Sequence, residues 1–229
     1  MCVVSYINTD GCFYLTSNRD IPKDREIAIP PQSYIINDQI LFFPKDPNAG
    51  GSWIATNAER LGCILNVKNK RLLKKNNSRG IFMIECLTQY KPEDYFKSYD
   101  LSNTYPFSMI LIDITKKSLQ QLIWDGDKKD IKTLNIKQNY LWMSSSIYNQ
   151  NIIDTKKNLF NDILNTQFNK KDILNFHIEN KFNPSMNNKI NTANITQISG
   201  SLDIENLDYF NLLDNKSKSI SIKEKLLVK

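Results

Sequence analysis

Cys2 offers the most definite chemistry in this chain, because a thiol follows Met1 directly. A cysteine with a pKa of about 8.5 needs a base or a positive neighbour to become a good nucleophile near neutral pH. Removal of Met1 would expose an α-amine with a pKa of about 7.7 beside that thiol. The nucleophile and its base would then belong to one residue, and other groups must hold the amine and stabilise an oxyanion.

The other residues that often carry chemistry offer less. Cys12, Cys63 and Cys86 lie in apolar runs without CxxC spacing, so we expect free thiols that pack as small apolar side chains. His177, the only histidine, lies in the apolar helical context DILNFHI, which favours a packed or surface role over a partnership with a cysteine. A single histidine also leaves no zinc site of regularly spaced His and Cys ligands, so we predict no metal.

The net charge of +6 includes one dense basic cluster, which follows the segment GCILN. The cluster comprises Lys68, Lys70, Arg71, Lys74, Lys75 and Arg79. It is either a solvated loop or a contact surface for the phosphates of nucleic acid or of a ligand such as coenzyme A, with Lys68 and Arg71 as candidate contacts. No nucleic-acid-binding signature accompanies it, so we predict no nucleic-acid partner.

Hydrophobic periodicity and turn signals predict the elements that position these residues. The segments CVVSYI and CFYLTSN, separated by residues 8–11, predict a first hairpin, and SWIATN and CILNV predict a second. YIINDQILFFP predicts one strand between the two hairpins. Two helices are predicted next, in SRGIFMIECLTQY and PEDYFKSYD. They are followed by a third hairpin, formed by FSMILIDI and SLQQLIWDG, and by a further strand in YLWMSS.

The pattern changes after YLWMSS to helical spacing. Apolar residues between 152 and 168 predict an amphipathic helix of about five turns, and a shorter helix follows around 171–178. FNPSMNNKINTANI predicts a loop, and ITQISG, YFNLL and KSISI predict late strands. This order indicates a single layered α+β domain over residues 1–229. No stretch has the roughly 18 to 20 apolar residues of a membrane span and the start lacks signal-peptide features, so we expect a cytoplasmic protein without an integral membrane segment.

Several motifs occur in the order that one protein family shows. They are MCVV, SNRD, GGSWIATNAERLGCILN, NNSRGIF and YPFSMILID, over roughly residues 1–125. On these motifs the chain resembles the NRDE-containing transport-and-Golgi-organisation 2 family. The resemblance implies a four-layer αββα sandwich with two mainly antiparallel sheets, related to cysteine N-terminal-nucleophile (Ntn) hydrolases such as penicillin V acylase and bile salt hydrolase. It also implies links to haem trafficking and to lipid or acyl-coenzyme A handling.

The resemblance assigns the first site residues to the start of the chain. Cys2 matches the nucleophile position, and Asn18, Arg19 and Asp20 match the first three letters of NRDE. Ile21 stands where that motif has its acid. Arg19 and Asp20 would together orient the amine of the nucleophile, and Asn18 is a candidate ligand contact.

Two later residues complete the candidate site. Asn66, which closes GCILN, resembles the amide that related hydrolases place near the oxyanion, and its alternative role is that of a turn residue at a strand end. Ser145, in YLWMSSSIYN, stands where the family has an asparagine, and it is a candidate ligand contact whose shorter hydroxyl weakens an oxyanion role. No arginine occurs within residues 190–196, where the related hydrolases have one.

Two hypotheses about function follow, and both take a small molecule as partner. In the first, the chain is a non-enzymatic carrier or chaperone that keeps the hydrolase pocket to bind haem, an acyl chain or an acyl-coenzyme A. Cys2, His177 or a methionine would then be the haem ligand. In the second, the chain is an amidohydrolase that needs no cofactor, in which Cys2 attacks an amide carbonyl and Asn66 stabilises the oxyanion. The sequence leaves both hypotheses open.

Overall fold

Two antiparallel sheets face each other in the computed structural model, which describes residues 3–9, 11–68, 75–145, 148–182 and 189–227. Sheet A contains, in spatial order, β10 (Tyr140–Met143), β1 (Val3–Thr9), β2 (Cys12–Pro22), β11 (Ile190–Gly200), β12 (Ile204–Asn211) and β13 (Lys216–Ser221). Sheet B contains, in chain order, β3 (Ile29–Ile36), β4 (Gln39–Lys45), β5 (Ile54–Thr56), β6 (Arg60–Asn66), β7 (Phe107–Asp113), β8 (Ser118–Trp124) and β9 (Lys129–Leu134).

Four helices cover the outer faces of the sheets: α1 (Arg79–Leu87), α2 (Pro92–Ser98), α3 (Gln150–Leu164) and α4 (Lys170–Glu179). A fifth helix, α5 (Ile222–Leu227), adds Ile222 to the core between the sheets. Helices α1 and α2 share an apolar cluster with sheet B, whereas α3 and α4 share one with β1 of sheet A. The predicted four-layer αββα sandwich is therefore confirmed. Within the described ranges, every helix is too short or too polar to cross a membrane.

The alternation of side chains along each strand decides which layer a residue enters. On β2, Phe13 and Leu15 belong to the core between the two sheets, and they pack there with Leu61 and Cys63 of β6. Side chains at the intervening positions of β2 point to the layer of α3 and α4, as Tyr14 does. We call the side of each sheet that faces the other sheet its inner face, and the helix-covered side its outer face.

One predicted strand is in fact a hairpin. The segment YIINDQILFFP forms β3 and β4, which pair from Ile36 and Gln39 outwards. The two residues between them, Asn37 and Asp38, have φ values of 48° and 60°. Asparagine and aspartate tolerate this left-handed conformation better than other side chains, and two such residues in succession form the tight turn that antiparallel strands favour. The prediction was wrong because the apolar run continues on both sides of this turn.

The structure corrects the sequence prediction at three further places. Strand β9 was not predicted, because its charged segment KDIKTL lacks a continuous apolar stripe and pairs only along the edge of β8. Helix α5 was also missed. The predicted Asn-rich loop is wrong at its end, since β11 already begins at Ile190 and pairs there with Pro22. Residues 183–188 of that predicted loop lie outside the described residues.

The start of α1 packs against the segment that leads into β5. Ser78 accepts a hydrogen bond from the Ile81 backbone nitrogen as the N-cap of this helix. A Cβ atom on Gly80 would overlap the Ser52 carbonyl and lie 2.7 Å from the Ser52 nitrogen. Likewise, a Cβ atom on Gly51 would lie 2.5 Å from the Ile81 nitrogen. The two glycines thus allow α1 and this segment to touch backbone to backbone, which fixes the position of the neighbouring residue Trp53.

We expect Gly80→Ala to lower the free energy of unfolding by more than about 2 kcal/mol, because the clash is with backbone atoms that cannot rotate away. Chemical denaturation measures this loss. Gly11→Ala is the matched control, since nothing lies within 4 Å of the position that its methyl group would take, and its φ of 75° alone should cost about 1 to 2 kcal/mol. A Gly80→Ala variant as stable as the parent would show that the approach of α1 is not close.

Candidate functional site

The motif Asn18-Arg19-Asp20 lies on β2 and is divided between the two faces of sheet A. Arg19 is on the inner face, where it contacts Trp53. Asn18 and Asp20 are on the outer face, where they contact His177 and Tyr148. Successive residues of a strand point in opposite directions, so the structure does not bring Arg19 and Asp20 together. The role of the pair in orienting the amine of Cys2 stays a prediction, because Cys2 lies outside the described residues.

Arg19 is a charged side chain enclosed between the sheets, with only 1% of its surface exposed. Its Nη2 donates to Asp46 Oδ2 at 2.7 Å, and its guanidinium lies over the Trp53 ring, 4.6 Å from the centroid. Arg25 Nε donates to the same Asp46 oxygen at 2.9 Å. Burial lowers the pKa of Arg19 although Asp46 opposes this effect. The pKa of Asp46 falls because the two guanidinium groups outweigh the effect of its own burial.

The other oxygen of Asp46 fixes the turn that carries it. Asp46 Oδ1 accepts hydrogen bonds from the backbone nitrogens of Asn48 and Ala49, at 3.0 and 3.1 Å. Both carboxylate oxygens are thus engaged, and a single carboxylate balances two arginines. The sequence prediction missed Asp46, since its segment PKDP gave only a turn signal. The cluster therefore retains one net positive charge next to the inner face of sheet A.

Several buried polar atoms around Arg19 lack a hydrogen-bond partner among the described residues. They are Arg19 Nη1, Trp53 Nε1, Asn194 Oδ1, Thr196 Oγ1 and Tyr209 Oη. The strand register pairs Arg19 with Asn194 and Thr196 with Tyr209, and directly opposed residues share a face of the sheet. We call these five side chains the inner polar layer. A buried polar atom without a partner costs about 1 to 3 kcal/mol, so this layer is suited to hold water or a polar ligand.

On the outer face, Asn18 connects β2 to α4 through His177. The Asn18 Nδ2 donates to the His177 carbonyl oxygen at 3.0 Å, which leaves its Oδ1 to accept from His177 Nδ1 at 2.6 Å. The proton is therefore on Nδ1, and Nε2 accepts from the Ser5 hydroxyl at 2.7 Å. All three side chains are fully buried. Burial lowers the pKa of His177 to about 3, with a smaller contribution from Lys156.

This arrangement resembles a Ser-His-Asn relay in its distances but not in its surroundings. A catalytic relay must present its nucleophile to a substrate, and the Ser5 hydroxyl is inaccessible to solvent. His177 is instead a packed histidine, as the sequence indicated. Both the amide oxygen and the amide nitrogen of Asn18 are hydrogen-bonded to His177, so this geometry does not support its predicted role as a ligand contact.

Asp20 belongs to a second network on the outer face. Its Oδ2 accepts from the Tyr148 hydroxyl at 2.9 Å, and its Oδ1 accepts from the Thr192 hydroxyl. Lys156 lies over the Tyr148 ring and donates to the Asn180 carbonyl oxygen at 2.6 Å. Burial lowers the pKa of Lys156 although the charge of Asp20 opposes this. Asp20 therefore connects β2 to Thr192 of β11 and to Tyr148, which lies two residues before α3.

A cavity of about 250 Å³ lies at the β10 edge of the sandwich. It is lined by Leu65, Asn66, Val67, Ser108, Gln121, Leu141, Trp142, Met143, Ile153 and Lys157. Asn66 Oδ1 is buried without a partner among the described residues, while the Asn66 carbonyl oxygen accepts from the Ser144 hydroxyl at 2.6 Å. Of the predicted site residues that the structure describes, Asn66 is thus the one that both borders this cavity and has a buried polar atom without a partner in the described ranges.

The remaining predicted residues either follow cavity-lining residues in the chain without lining the cavity themselves or lie outside the described residues. Ser145 is exposed, and its Oγ accepts from the Lys68 backbone nitrogen at 3.2 Å. The predictions for Cys2 and Arg71 fall on residues that the structure does not describe. The sequence prediction missed Ser144, which is buried next to Ser145, and also Trp53 and Tyr209. Trp53 stood in the quoted motif GGSWIATN, but only the folded chain shows which side chain meets it.

The cysteines of the described part are structural. Burial raises the pKa of Cys63 and of Cys86 to about 12, so both thiols are protonated at physiological pH. Cys12 is partly exposed, which corrects the expectation that it packs in the core. No group of three or more His, Cys, Asp or Glu residues that could hold a metal ion occurs in the described ranges.

We expect protonation of His177 to destabilise the fold in acid. Its pKa in the folded state lies below the ordinary value of 6.5, so its stabilising contribution is complete above pH 6.5 and decreases as the pH falls towards 3. Between pH 7 and 4.5 this amounts to about 3 kcal/mol. Urea denaturation of the parent and of His177→Asn, which does not titrate, measures the difference. Parallel pH profiles for the two proteins would contradict this role of His177.

Comparison with known proteins bears on the fold. No family model and no curated protein matches the chain, so the resemblance to the NRDE family stays a prediction. Among solved structures, the chain is similar to penicillin V acylase from Agrobacterium tumefaciens. The TM-score is 0.60 and the identity 10%, over 98% of this chain and 87% of that one. At this identity the likeness concerns architecture alone: the chain has an Ntn-hydrolase-like αββα fold.

Proposed function

We propose that this chain binds an acyl compound in the cavity at the β10 edge, as a carrier or chaperone that keeps the pocket of an Ntn-hydrolase-like fold. The supporting observation is the composition of that cavity. Six of its ten lining residues are apolar, namely Leu65, Val67, Leu141, Trp142, Met143 and Ile153. The other four, Asn66, Ser108, Gln121 and Lys157, are polar. A lining that combines apolar side chains with polar groups suits a ligand that has an apolar chain and a polar group.

The cavity borders the core between the sheets on the side of β10, because Leu65 and Trp142 belong to both. Trp142 is paired with Val4, which is itself paired with Ser17. Arg19 lies on β2, two strands from β10 in sheet A, and two strand spacings correspond to about 10 Å. This is the distance over which a ligand chain must extend from the cavity for its polar end to reach Arg19.

Haem fits this site poorly. The cavity is smaller than the roughly 300 to 1,000 Å³ that sites for drug-sized ligands occupy, and haem is a large, flat ligand. Both ring nitrogens of His177 already have hydrogen-bond partners, so this side chain is not free to bind iron. An acyl chain needs less width and no axial ligand. For an acyl-coenzyme A, Lys68 at the rim and Arg71 remain the proposed phosphate contacts.

Filling the cavity should weaken ligand binding. We expect Ile153→Phe to reduce the affinity for decanamide at least tenfold, because the larger ring occupies space that the chain of the probe needs. Trp142 lines the cavity, so tryptophan fluorescence can follow the titration.

Ile152→Phe is the matched control for this test. Ile152 precedes Ile153 on α3 and does not line the cavity, although both belong to the same outer cluster. Equal effects of the two substitutions, or no effect of Ile153→Phe, would contradict the proposed binding site.

A second candidate function is hydrolysis of an amide bond, and the likeness to an acylase fold favours it. Here Cys2, once Met1 is removed, would attack the amide carbonyl and its own α-amine would carry the proton. One observation weighs against catalysis: an exposed hydroxyl at Ser145 stands in place of the expected amide. The test measures the release of glycine from N-decanoylglycine. Hydrolysis by the parent that Cys2→Ala abolishes would establish this second function over the carrier.

Thiol labelling separates a reactive Cys2 from the structural cysteines. If Cys2 has the depressed pKa of a nucleophile, iodoacetamide at pH 7 should modify it well before the partly exposed Cys12. The buried thiols of Cys63 and Cys86 should react only after denaturation, because their pKa values are raised to about 12. Peptide mass mapping gives the order of modification. Labelling of Cys12 ahead of Cys2 would exclude the hydrolase and leave the carrier.

A further inference from the structure

The guanidinium of Arg19 has one edge that binds Asp46 and one that binds nothing among the described residues. Its Nη2 donates to Asp46, while its Nη1 is buried and has no partner. Arginine presents its donors in a planar fork that suits the two oxygens of a carboxylate. An enclosed guanidinium with an unused donor is costly unless another group completes it. This edge is therefore suited to a planar acceptor that is not part of the described chain.

Two more unused donors accompany Arg19 on the inner side of the sandwich. Trp53 Nε1 can only donate a hydrogen bond, and it belongs to the ring over which the guanidinium lies. The Tyr209 hydroxyl is buried without a partner among the described residues, two strands from β2. Burial raises the pKa of Tyr209 to about 12, and the positive charge of Arg19 partly opposes this rise. The donors thus come from two strands of sheet A and from the residue that precedes β5 of sheet B. The interior between them attracts an acceptor, and preferably a negative one.

The charge balance indicates how much negative charge is missing. Arg19 and Arg25 both bind Asp46 Oδ2, so two positive groups share one negative group. Arg25 is about one third exposed and its charge is partly balanced by water, whereas that of Arg19 is enclosed. One additional negative charge at Arg19 would neutralise the buried part of this cluster. A carboxylate supplies one charge, whereas a phosphate group would supply more than the buried guanidinium can balance.

We propose that Arg19, Trp53 and Tyr209 form a binding site for the carboxylate of a ligand. The ligand class is a monocarboxylate with an acyl chain, whose carboxylate accepts hydrogen bonds from Arg19 Nη1, Trp53 Nε1 and Tyr209 Oη while its chain extends about 10 Å towards β10. This inference rests on the proposed function for the position of the chain, but the carboxylate site itself does not need the cavity.

The test compares two probes of equal length that differ in charge. Decanoate should bind the parent protein about tenfold or more tightly than decanamide, because hydrogen bonds to a charged acceptor are worth about 1.5 to 3 kcal/mol. Arg19→Gln should abolish this preference. Tyr209→Phe should reduce it severalfold without loss of stability, because the hydroxyl it removes has no partner among the described residues. If Arg19→Gln does not fold, Tyr209→Phe decides alone.

Tyr6→Phe is the matched control. Tyr6 is a buried tyrosine of the same inner core, but its hydroxyl donates to the Ile136 carbonyl oxygen at 2.9 Å. Its removal should lower stability and leave the ratio of the two affinities unchanged. Equal affinities for decanoate and decanamide in the parent, or a ratio that Tyr209→Phe leaves unchanged, would overturn the carboxylate site.

Acetate tests the site independently of the acyl cavity. At constant ionic strength, sodium acetate should raise the Tm of the parent more than acetamide does, and Tyr209→Phe should remove this difference. If acetate has this effect while neither decanoate nor decanamide binds, the proposed acyl carrier fails and the carboxylate site stands. If acetate has no effect although decanamide binds, the carrier stands and the inner polar layer holds only water.

Discussion

A buried positive charge between two sheets is the constraint on which the rest of this site depends. Arg19 is enclosed, and enclosure of an unpaired guanidinium would cost several kcal/mol. Asp46 compensates that cost, and the turn at Asn48 and Ala49 holds Asp46 in place through backbone hydrogen bonds. Trp53 covers the flat side of the guanidinium. The close contact of Gly51 and Gly80 in turn fixes the segment that carries Trp53.

The three consecutive residues Asn18, Arg19 and Asp20 have different roles on the two faces of sheet A. The outer-face residues Asn18 and Asp20 bond to His177 of α4, to Thr192 of β11 and to Tyr148 before α3, which ties β2 to the helix layer. The inner-face residue Arg19 retains a donor without a partner among the described residues. A motif of three consecutive polar residues therefore serves two purposes, since the outer pair holds the strand and the middle residue faces the interior. Substitutions at Asn18 should accordingly act through stability, and those at Arg19 through binding as well.

The sequence predicted the layered architecture well and the site only in part. Hairpins with clear turn signals and amphipathic helices such as α3 follow from local patterns, so the sequence alone predicts them. The hairpin at Asn37 and Asp38 was hidden in a continuous apolar run. The partnership of Arg19 with Asp46 joins residues 27 positions apart, one on β2 of sheet A and one in the turn after β4 of sheet B, and no local spacing encodes it. The same holds for Tyr209, whose unpaired hydroxyl only the assembled core makes apparent.

The indole signals of the three tryptophans test the inner site most directly. In a ¹H–¹⁵N spectrum, decanoate should shift the Trp53 indole resonance strongly, because Trp53 Nε1, which has no acceptor in the described part of the chain, gains one. Trp124 is an internal reference, since its Nε1 already donates to the Thr104 carbonyl oxygen at 2.9 Å. We predict a large shift for Trp53, a smaller one for the cavity residue Trp142 and none for Trp124. A shift of Trp142 with Trp53 unmoved would contradict a ligand carboxylate at Arg19.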